Sequence, residues 1–140
     1  MNRSVTFTVP GDPVPKGRPR HTKDGHTYTP KRTREYEDEV GNAWTGEGPR
    51  PLPFPGAVRV FIQVRERVYA SDLDNYVKIV LDGLNGIAWA DDKQVEVIHA
   101  TIERKHPSPG ITVEIRERPW DARAELLETE AESISFADST

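Results

Sequence analysis

The chain lacks several features that would assign it to a familiar class of protein. None of its 140 residues is cysteine, which excludes disulfide bonds and thiolate metal sites. No apolar run approaches the ~20 residues of a membrane-spanning helix. Residues 1–13 lack the apolar core and the small-residue cleavage site of a signal peptide. These absences predict a cytoplasmic protein that does not associate with membranes.

The sequence signatures of common enzyme classes are missing as well. The histidines show neither the HxxxH nor the HExxH spacing of zinc hydrolases. No serine lies in the G-x-S-x-G turn of an α/β-hydrolase. The glycine-rich connector 46–56 is not followed by the Lys-Ser/Thr pair of a phosphate-binding loop. The histidines therefore fit turn and surface positions better than metal sites.

Charge is distributed unevenly along the chain. The formal net charge is −4, but residues 119–140 hold six acidic residues and one basic residue, which leaves residues 1–118 with a net charge of +1. Residues 14–34 contain a single acid, Asp24, and seven bases. The bases are Lys16, Arg18, Arg20, Lys23, Lys31, Arg32 and Arg34. Such a stretch suits phosphate binding by a nuclease, although a solubilising loop explains the charges equally well.

Hydrophobic periodicity predicts one α+β domain over residues 1–118. Alternating residues indicate strands at 3–10, 57–67, 93–105 and 110–118, and period-3.6 patterns indicate helices at 29–46 and 73–86. The order is β-α-β-α-β-β, with a mostly antiparallel or mixed sheet packed by two helices. We expect the last two strands to form an antiparallel hairpin and the strand at 57–67 to bury one face. Residues 119–140 are expected to form an acidic tail, weakly helical or disordered.

Three local features refine this prediction. The Asp24-Gly25 pair is typical of a tight turn in a small hairpin. Thr29 is placed to cap the first helix, with Pro30 at its first position. The buried stripe of the second helix is expected to consist of Leu73, Val77, Val80, Leu81 and Leu84.

The segment 71–95 gathers carboxylates around one lysine. Its charged residues of interest are Asp72, Asp74, Lys78, Asp82, Asp91 and Asp92. In an extended segment residues i and i+2 point the same way, so Asp72 and Asp74 can converge just ahead of the second helix. Two carboxylates brought together repel unless a cation lies between them. Oxygen ligands suit a hard cation such as Mg²⁺ or Mn²⁺.

Each of these residues also has an ordinary structural explanation. Asp74 fits a helix N-cap. Lys78 fits an i,i+4 ladder of surface salt bridges with Asp74 and Asp82. Asp91 and Asp92 fit an acidic pair after a turn, although a chain that folds back would bring them over the beginning of the second helix. The spacing alone leaves the metal site and these alternatives open.

The sequence also resembles a known family. The run DLDNYVKIVLDGLNGIAWADDKQV, residues 72–95, is similar to the signature of RusA-type Holliday junction resolvases, with D-x-D-N, a lysine four residues later, a further Asp and a D-D-x-Q-V block. Residues 13–37 also resemble the N-terminal block of bacterial and phage members. The likeness extends from about Val5 to Glu117 and leaves the acidic tail without a counterpart.

The resemblance implies a small homodimeric endonuclease of a bacterial cell, of phage or prophage origin. It would bind four-way DNA junctions and nick two opposing strands with Mg²⁺, for which Mn²⁺ is a possible substitute. The resemblance assigns catalysis to Asp72, Asp74, Lys78 and Asp92. It assigns metal binding to Asp72, Asp74, Asp92 and Asp91. Phosphates would be held by the basic loop, through Lys16, Arg18, Arg20, Lys23, Lys31 and Arg32.

The chemistry of phosphodiester hydrolysis agrees with this assignment. A carboxylate-held Mg²⁺ activates water and binds a phosphate oxygen, and a nearby lysine stabilises developing negative charge. Three other functions remain open on the sequence. One is a Mg²⁺-dependent nuclease for other branched or single-stranded DNA, and the second is a DNA-binding protein without catalytic activity. The third is a small interaction module that acts through its acidic tail.

Overall fold

Within the part of the chain that the structure describes, two α-helices pack on a four-stranded sheet, which confirms the predicted α+β class. The computed structural model describes residues 3–17 and 20–118, with residue 20 described by its backbone alone. The elements are β1 (Ser4–Pro10), β2 (Arg20–His21), β3 (Thr27–Tyr28), α1 (Lys31–Thr45), β4 (Val58–Arg65), α2 (Leu73–Leu84), β5 (Val95–Glu103) and β6 (Gly110–Glu117). The predicted acidic tail lies outside the described residues. No helix in the described ranges is long and apolar enough to cross a membrane.

The main sheet is mixed, with the strand order β1-β6-β4-β5. Strand β6 pairs antiparallel with β1 and β4, whereas β5 pairs parallel with β4. The predicted β5–β6 hairpin is therefore wrong, because β4 lies between the two strands. Helix α2 is the crossover that returns the chain from β4 to a parallel neighbour. The small hairpin predicted around Asp24-Gly25 is confirmed as the pair β2–β3.

Strand β4 is buried on both faces, so the prediction of one buried face is wrong. Its residues from Val58 to Val64 are all buried. On the second face Phe61 stacks on His99 of β5, with ring centroids 5.2 Å apart. Arg59 is 1% exposed although it is charged. The reason is position, since a strand flanked on both sides is covered by its neighbours' side chains as well as by helices.

Both helices pack on the same face of the sheet. Their buried side chains belong to the core that contains the inward residues of β4 and β6. The sequence spacing predicts that Tyr36, Val40, Ala43 and Trp44 form the buried stripe of α1. This stripe is confirmed, with Ala43 partly buried and the other three buried. In α2 the stripe is rotated, because Tyr76 and Ile79 are fully buried while the predicted Leu73, Val77 and Leu81 are partly buried. Helix α2 packs against α1 as well as the sheet, which shifts its buried arc.

The N-cap residue of α1 is Pro30, not the predicted Thr29, and no side chain caps this helix. The missing cap is offset by contacts of the preceding chain. The backbone N–H of Gly17 donates to Oγ1 of Thr33, at 3.2 Å. The backbone N–H of Lys16 donates to the carbonyl oxygen of Asn75, at 2.9 Å. The loop at residues 14–17 therefore lies beside the first turns of both helices.

Candidate active site

Two carboxylates stand free at the beginning of α2. Asp72 is the N-cap residue in extended conformation, and Asp74 lies in the first turn. Both side chains are exposed, and the Asp72 carboxylate forms no capping hydrogen bond. The capping explanation for Asp74 therefore does not hold, because Asp72 occupies the cap position. Among the described residues neither carboxylate has an ion-pair partner, so both are available to a ligand from outside the chain.

Lys78 lies one turn after Asp74 and is exposed. The i,i+4 ladder with Asp74 and Asp82 does not form. Asp82 instead pairs with Lys16, whose Nζ lies 2.8 Å from its Oδ2. Within residues 3–17 and 20–118, Lys78 takes part in no ion pair or side-chain hydrogen bond. The Lys78 ammonium is therefore as available to a ligand from outside the chain as the two carboxylates are.

Lys16 joins three parts of the chain. Its ammonium lies 2.6 Å from Oε1 of Glu37 on α1 in addition to its contact with Asp82 on α2. Burial alone would lower the pKa of Lys16, but the hydrogen bonds to the two carboxylates outweigh burial and raise it. The side chain is 24% exposed. Lys16 therefore fixes the loop to both helices, and the phosphate contact predicted for it competes with this internal role.

Three of the other predicted phosphate ligands have described side chains. Lys23 lies in the β2–β3 turn, and Lys31 and Arg32 lie in the first turn of α1; all are exposed. Lys31 forms a weak i,i+4 pair with Glu35, at 3.7 Å. Of the remaining two, Arg18 lies outside the described residues and only the backbone of Arg20 is described. Their contact with DNA stays a prediction.

Asp91 and Asp92 lie at the opposite end of α2. They begin the 3₁₀ turn Asp92–Gln94 just before β5, where Asp92 Oδ1 accepts a hydrogen bond from Nε1 of Trp89, at 2.8 Å. Asp91 caps the turn through the backbone N–H of Lys93, at 2.8 Å. Strands β4 and β5 are parallel, so this turn lies where β4 begins, whereas Asp72 follows the end of β4. A helix of 12 residues is about 18 Å long.

One chain therefore does not assemble the predicted set of metal ligands. The expectation that Asp91 and Asp92 fold back over the beginning of α2 is wrong within a single chain. Over the described ranges no three Asp, Glu or His side chains are grouped to hold a metal ion. Asp72 and Asp74 remain the two candidates that share one turn of the chain, and the Asp91-Asp92 pair is separated from them by the length of α2.

The prediction from the sequence did not include Glu66, a buried carboxylate next to this site. Glu66 directly follows β4 and is 1% exposed. It accepts hydrogen bonds from the hydroxyl of Tyr76 and from Nη1 of Arg104, the latter at 2.7 Å. A signal existed, because Glu66 continues the every-second-residue pattern that buries Val58 to Val64 on the helix side. An acid in the next position of such a pattern indicates a buried charge with partners.

The hydrogen-bond partners of Glu66 keep its carboxylate ionised although the side chain is buried. Burial raises the pKa of Glu66, but the hydrogen bonds from Tyr76 and the backbone, together with Arg104, outweigh burial and lower it. The same burial and the neighbouring carboxylate raise the pKa of Tyr76, which stays a neutral donor. The pair is therefore a carboxylate bonded by a phenol at neutral pH.

Comparison with known proteins shows which family the chain belongs to. Residues 10–116 match the family model described as "Endodeoxyribonuclease RusA". The matched residues run from the end of β1 to the end of β6 and contain the free carboxylates, Lys78 and the 3₁₀ turn. A relative in Bacillus subtilis (strain 168), the "Uncharacterized protein YqaN", is 28% identical over 137 residues, which cover 81% of this chain and 96% of that protein.

Proposed function

Because the chain belongs to the RusA endodeoxyribonuclease family, we propose that it resolves four-way DNA junctions by paired symmetric nicks, with Mg²⁺ or alternatively Mn²⁺ as cofactor. The process it would serve is DNA recombination and repair. One observation carries the proposal: Asp72, Asp74 and Lys78 are exposed within two turns of α2 and have no protein partner in the described chain. Two carboxylates and an ammonium exposed on adjacent turns combine the oxygen ligands of a hard cation with a positive charge for the phosphate.

The three side chains fit distinct tasks in phosphodiester cleavage. The two carboxylates are oxygen ligands of the type that Mg²⁺ takes in combination with substrate phosphates. Lys78 lies one turn further on, where an ammonium stabilises negative charge that develops on the attacked phosphate. The neighbouring loop and the first turn of α1 supply Lys23, Lys31 and Arg32 for phosphates further along the duplex, without reading sequence.

The active form would be a homodimer with sites built from both copies. This part of the proposal is supported by the distance between the two acidic groups, about 18 Å along α2 within one chain. If the two-fold axis relates two antiparallel α2 helices, the beginning of α2 in one copy would meet the 3₁₀ turn of the other at two equivalent places. Asp72 and Asp74 of one copy would then complete a site with Asp91 and Asp92 of its partner. Two equivalent sites suit the two-fold symmetry of a four-way junction.

The proposal is tested by cleavage of a synthetic four-way junction with Mg²⁺. The wild type should produce symmetric nicks in opposing strands and leave linear duplex intact. Asp74→Asn and Lys78→Ala should each reduce the cleavage rate by about a hundredfold or more, because they remove charge at the reacting phosphate. Both variants should still bind the junction, since phosphate contacts by other cations supply most of the affinity.

Each other result identifies an alternative. Junction binding without cleavage by the wild type, with either Mg²⁺ or Mn²⁺, would mean a DNA-binding protein without catalytic activity. Faster cleavage of flaps or splayed arms than of four-way junctions would mean a nuclease for other branched DNA. Wild-type cleavage rates in both variants would remove Asp74 and Lys78 from the site.

A further inference from the structure

The backbone ahead of α2 is held by the buried carboxylate of Glu66. Its Oε2 accepts hydrogen bonds from the backbone N–H groups of Ala70 and Ser71, at 3.1 and 3.3 Å. The same oxygen accepts from the hydroxyl of Tyr76, in the second turn of α2. Its Oε1 accepts from Nη1 of Arg104, at 2.7 Å. One side chain at the end of β4 therefore has contacts with the segment before Asp72 and with the helix after it.

Ser71, the residue before Asp72, is held on several sides. Its N–H donates to Glu66, and its carbonyl oxygen accepts from Nη1 of Arg104, at 3.1 Å. Its hydroxyl accepts from Nδ2 of Asn75, at 3.3 Å. The peptide groups on both sides of Ser71 are thus fixed, and the second of them joins Ser71 to Asp72. This anchoring fixes the position of the Asp72 backbone nitrogen, from which its side chain extends.

A purely structural explanation accounts poorly for a glutamate at this place. The positions before it on the same face of β4 are valine and isoleucine, all buried. A buried charge costs desolvation energy that an apolar side chain of similar volume avoids, so burial alone would favour another aliphatic residue. What an aliphatic residue cannot supply is an acceptor for two loop N–H groups. Two of the four donors bonded by Glu66 belong to the segment that leads to the free carboxylates, and a third, Tyr76, belongs to the helix that follows.

We propose that Glu66 is a positioning residue of the nuclease site. It fixes the peptide groups from Ala70 to Asp72 and the first turns of α2, and thereby sets the relative placement of the Asp72 and Asp74 carboxylates. Arg104 supports it from the end of β5 by holding both Glu66 and the Ser71 carbonyl. This role rests on the proposed nuclease function of Asp72 and Asp74, while the anchoring of the segment is measurable without any substrate.

The test compares Glu66→Gln with Val60→Ala. Glutamine keeps the shape of the side chain but has one acceptor oxygen and no charge, so it cannot serve all four donors. Val60 is buried on the same face of β4, and its truncation destabilises the same strand without touching residues 70–72. Both variants are measured at a temperature at which circular dichroism shows them to be folded. The comparison therefore separates positioning from a general loss of stability.

Two readouts are expected to move in Glu66→Gln alone. The single-turnover cleavage rate should fall by about tenfold or more while the junction Kd in the absence of divalent metal stays within about twofold, as expected for misplaced reacting groups. The amide hydrogens of Ala70 and Ser71 should exchange at least about tenfold faster, because their acceptor is lost. Val60→Ala should leave both readouts within about threefold of wild type, because Val60 precedes Glu66 by six residues, about 20 Å along an extended strand.

Two results would overturn the proposal. One is an equal loss of cleavage in both variants, which would mean that stability of the strand is what matters. The second is wild-type exchange of the Ala70 and Ser71 amides in Glu66→Gln, which would mean that the segment does not depend on this carboxylate. Hydrogen exchange needs no substrate. If the wild type cleaves no junction, the proposed function is contradicted, and the exchange rates of Ala70 and Ser71 still show whether Glu66 anchors the segment.

Discussion

Single charged residues set the geometry around the beginning of α2. Glu66 is buried and accepts hydrogen bonds from groups before and within the helix. Because it is 1% exposed, removing its charge leaves donors without their acceptor in a desolvated place. The consequence extends beyond stability, since those donors belong to the segment that leads to Asp72.

The charge of Glu66 predicts a specific pH dependence of stability. Its pKa in the folded state is below the ordinary value of 4.5, so its contribution to stability is present above that pH and is lost as the pH falls through the folded-state pKa. Glu66→Gln should lower the free energy of unfolding at neutral pH by about 1–3 kcal/mol. The difference between wild type and variant should shrink as the pH falls from about 5 to about 3. Urea unfolding across this range measures it, and a constant difference would contradict the ionised state.

At this scale the sequence predicted the identity of the exposed groups but not their partners. The family resemblance of the D-x-D-N run selected Asp72, Asp74 and Lys78, which the fold leaves exposed and unpaired in the described chain, but it also selected Asp91 and Asp92, which accept hydrogen bonds. Glu66 was missed because its importance lies in hydrogen bonds to Ala70 and Arg104, and Arg104 is 38 residues away. Such partners depend on which strands are neighbours, which periodicity does not reveal.

The loop at residues 14–17 and the two helices form one structural unit at the scale of elements. Backbone hydrogen bonds from Lys16 and Gly17 reach α2 and α1, and the Lys16 ammonium pairs with a carboxylate on each helix. The helices themselves approach closely at Gly83, where a Cβ would lie 2.9 Å from the carbonyl oxygen of Glu37. Residues 14–17 are therefore fixed beside the first turn of α2, which carries Asp74.

This arrangement predicts that Lys16 stabilises the fold and contributes little to DNA affinity. Lys16→Met should lower the free energy of unfolding by about 1 kcal/mol, a modest effect because the ion pairs are partly exposed. It should leave the slope of log Kd against log salt for duplex DNA unchanged. Arg32→Met, on an exposed side chain of α1, is the matched comparison and should reduce that slope by about 0.9, the loss of one phosphate contact. A similar reduction in Lys16→Met would restore its role as a phosphate ligand.

The boundaries of the helices and strands were predicted well where a segment shows a single hydrophobic periodicity. The pairing of the strands was not predicted well. Strands β1, β4, β5 and β6 and both helices lie where alternation and the 3.6-residue period placed them. The prediction of a β5–β6 hairpin was wrong. It rested on the short connection at residues 104–109, since strands joined by a short connection usually pair with each other. The chain instead passes across the end of β4. Strand β4 has apolar residues on both faces, which is the pattern of a central strand.

At the scale of the whole molecule, the most important feature is the separation of two acidic groups, Asp72 with Asp74 and Asp91 with Asp92. The sequence places them within 21 residues, but parallel pairing of β4 with β5 puts them at opposite ends of α2. Sequence proximity therefore misled about proximity in space. A dimer with shared sites reconciles the separation with the family's chemistry, and it predicts that neither group is sufficient within one copy.

Mixing two inactive variants tests this account most directly. Asp74→Asn and Asp92→Asn are each expected to abolish junction cleavage. The second substitution keeps a side-chain oxygen that can accept from Trp89, so the turn should stay folded. If sites are shared, a mixed dimer has one site with both substitutions and one site with neither. An equimolar mixture should then recover about a quarter of the wild-type sites and produce single nicks rather than paired ones. If the mixture stays inactive while native mass spectrometry shows that mixed dimers have formed, the sites are not shared and the account is contradicted.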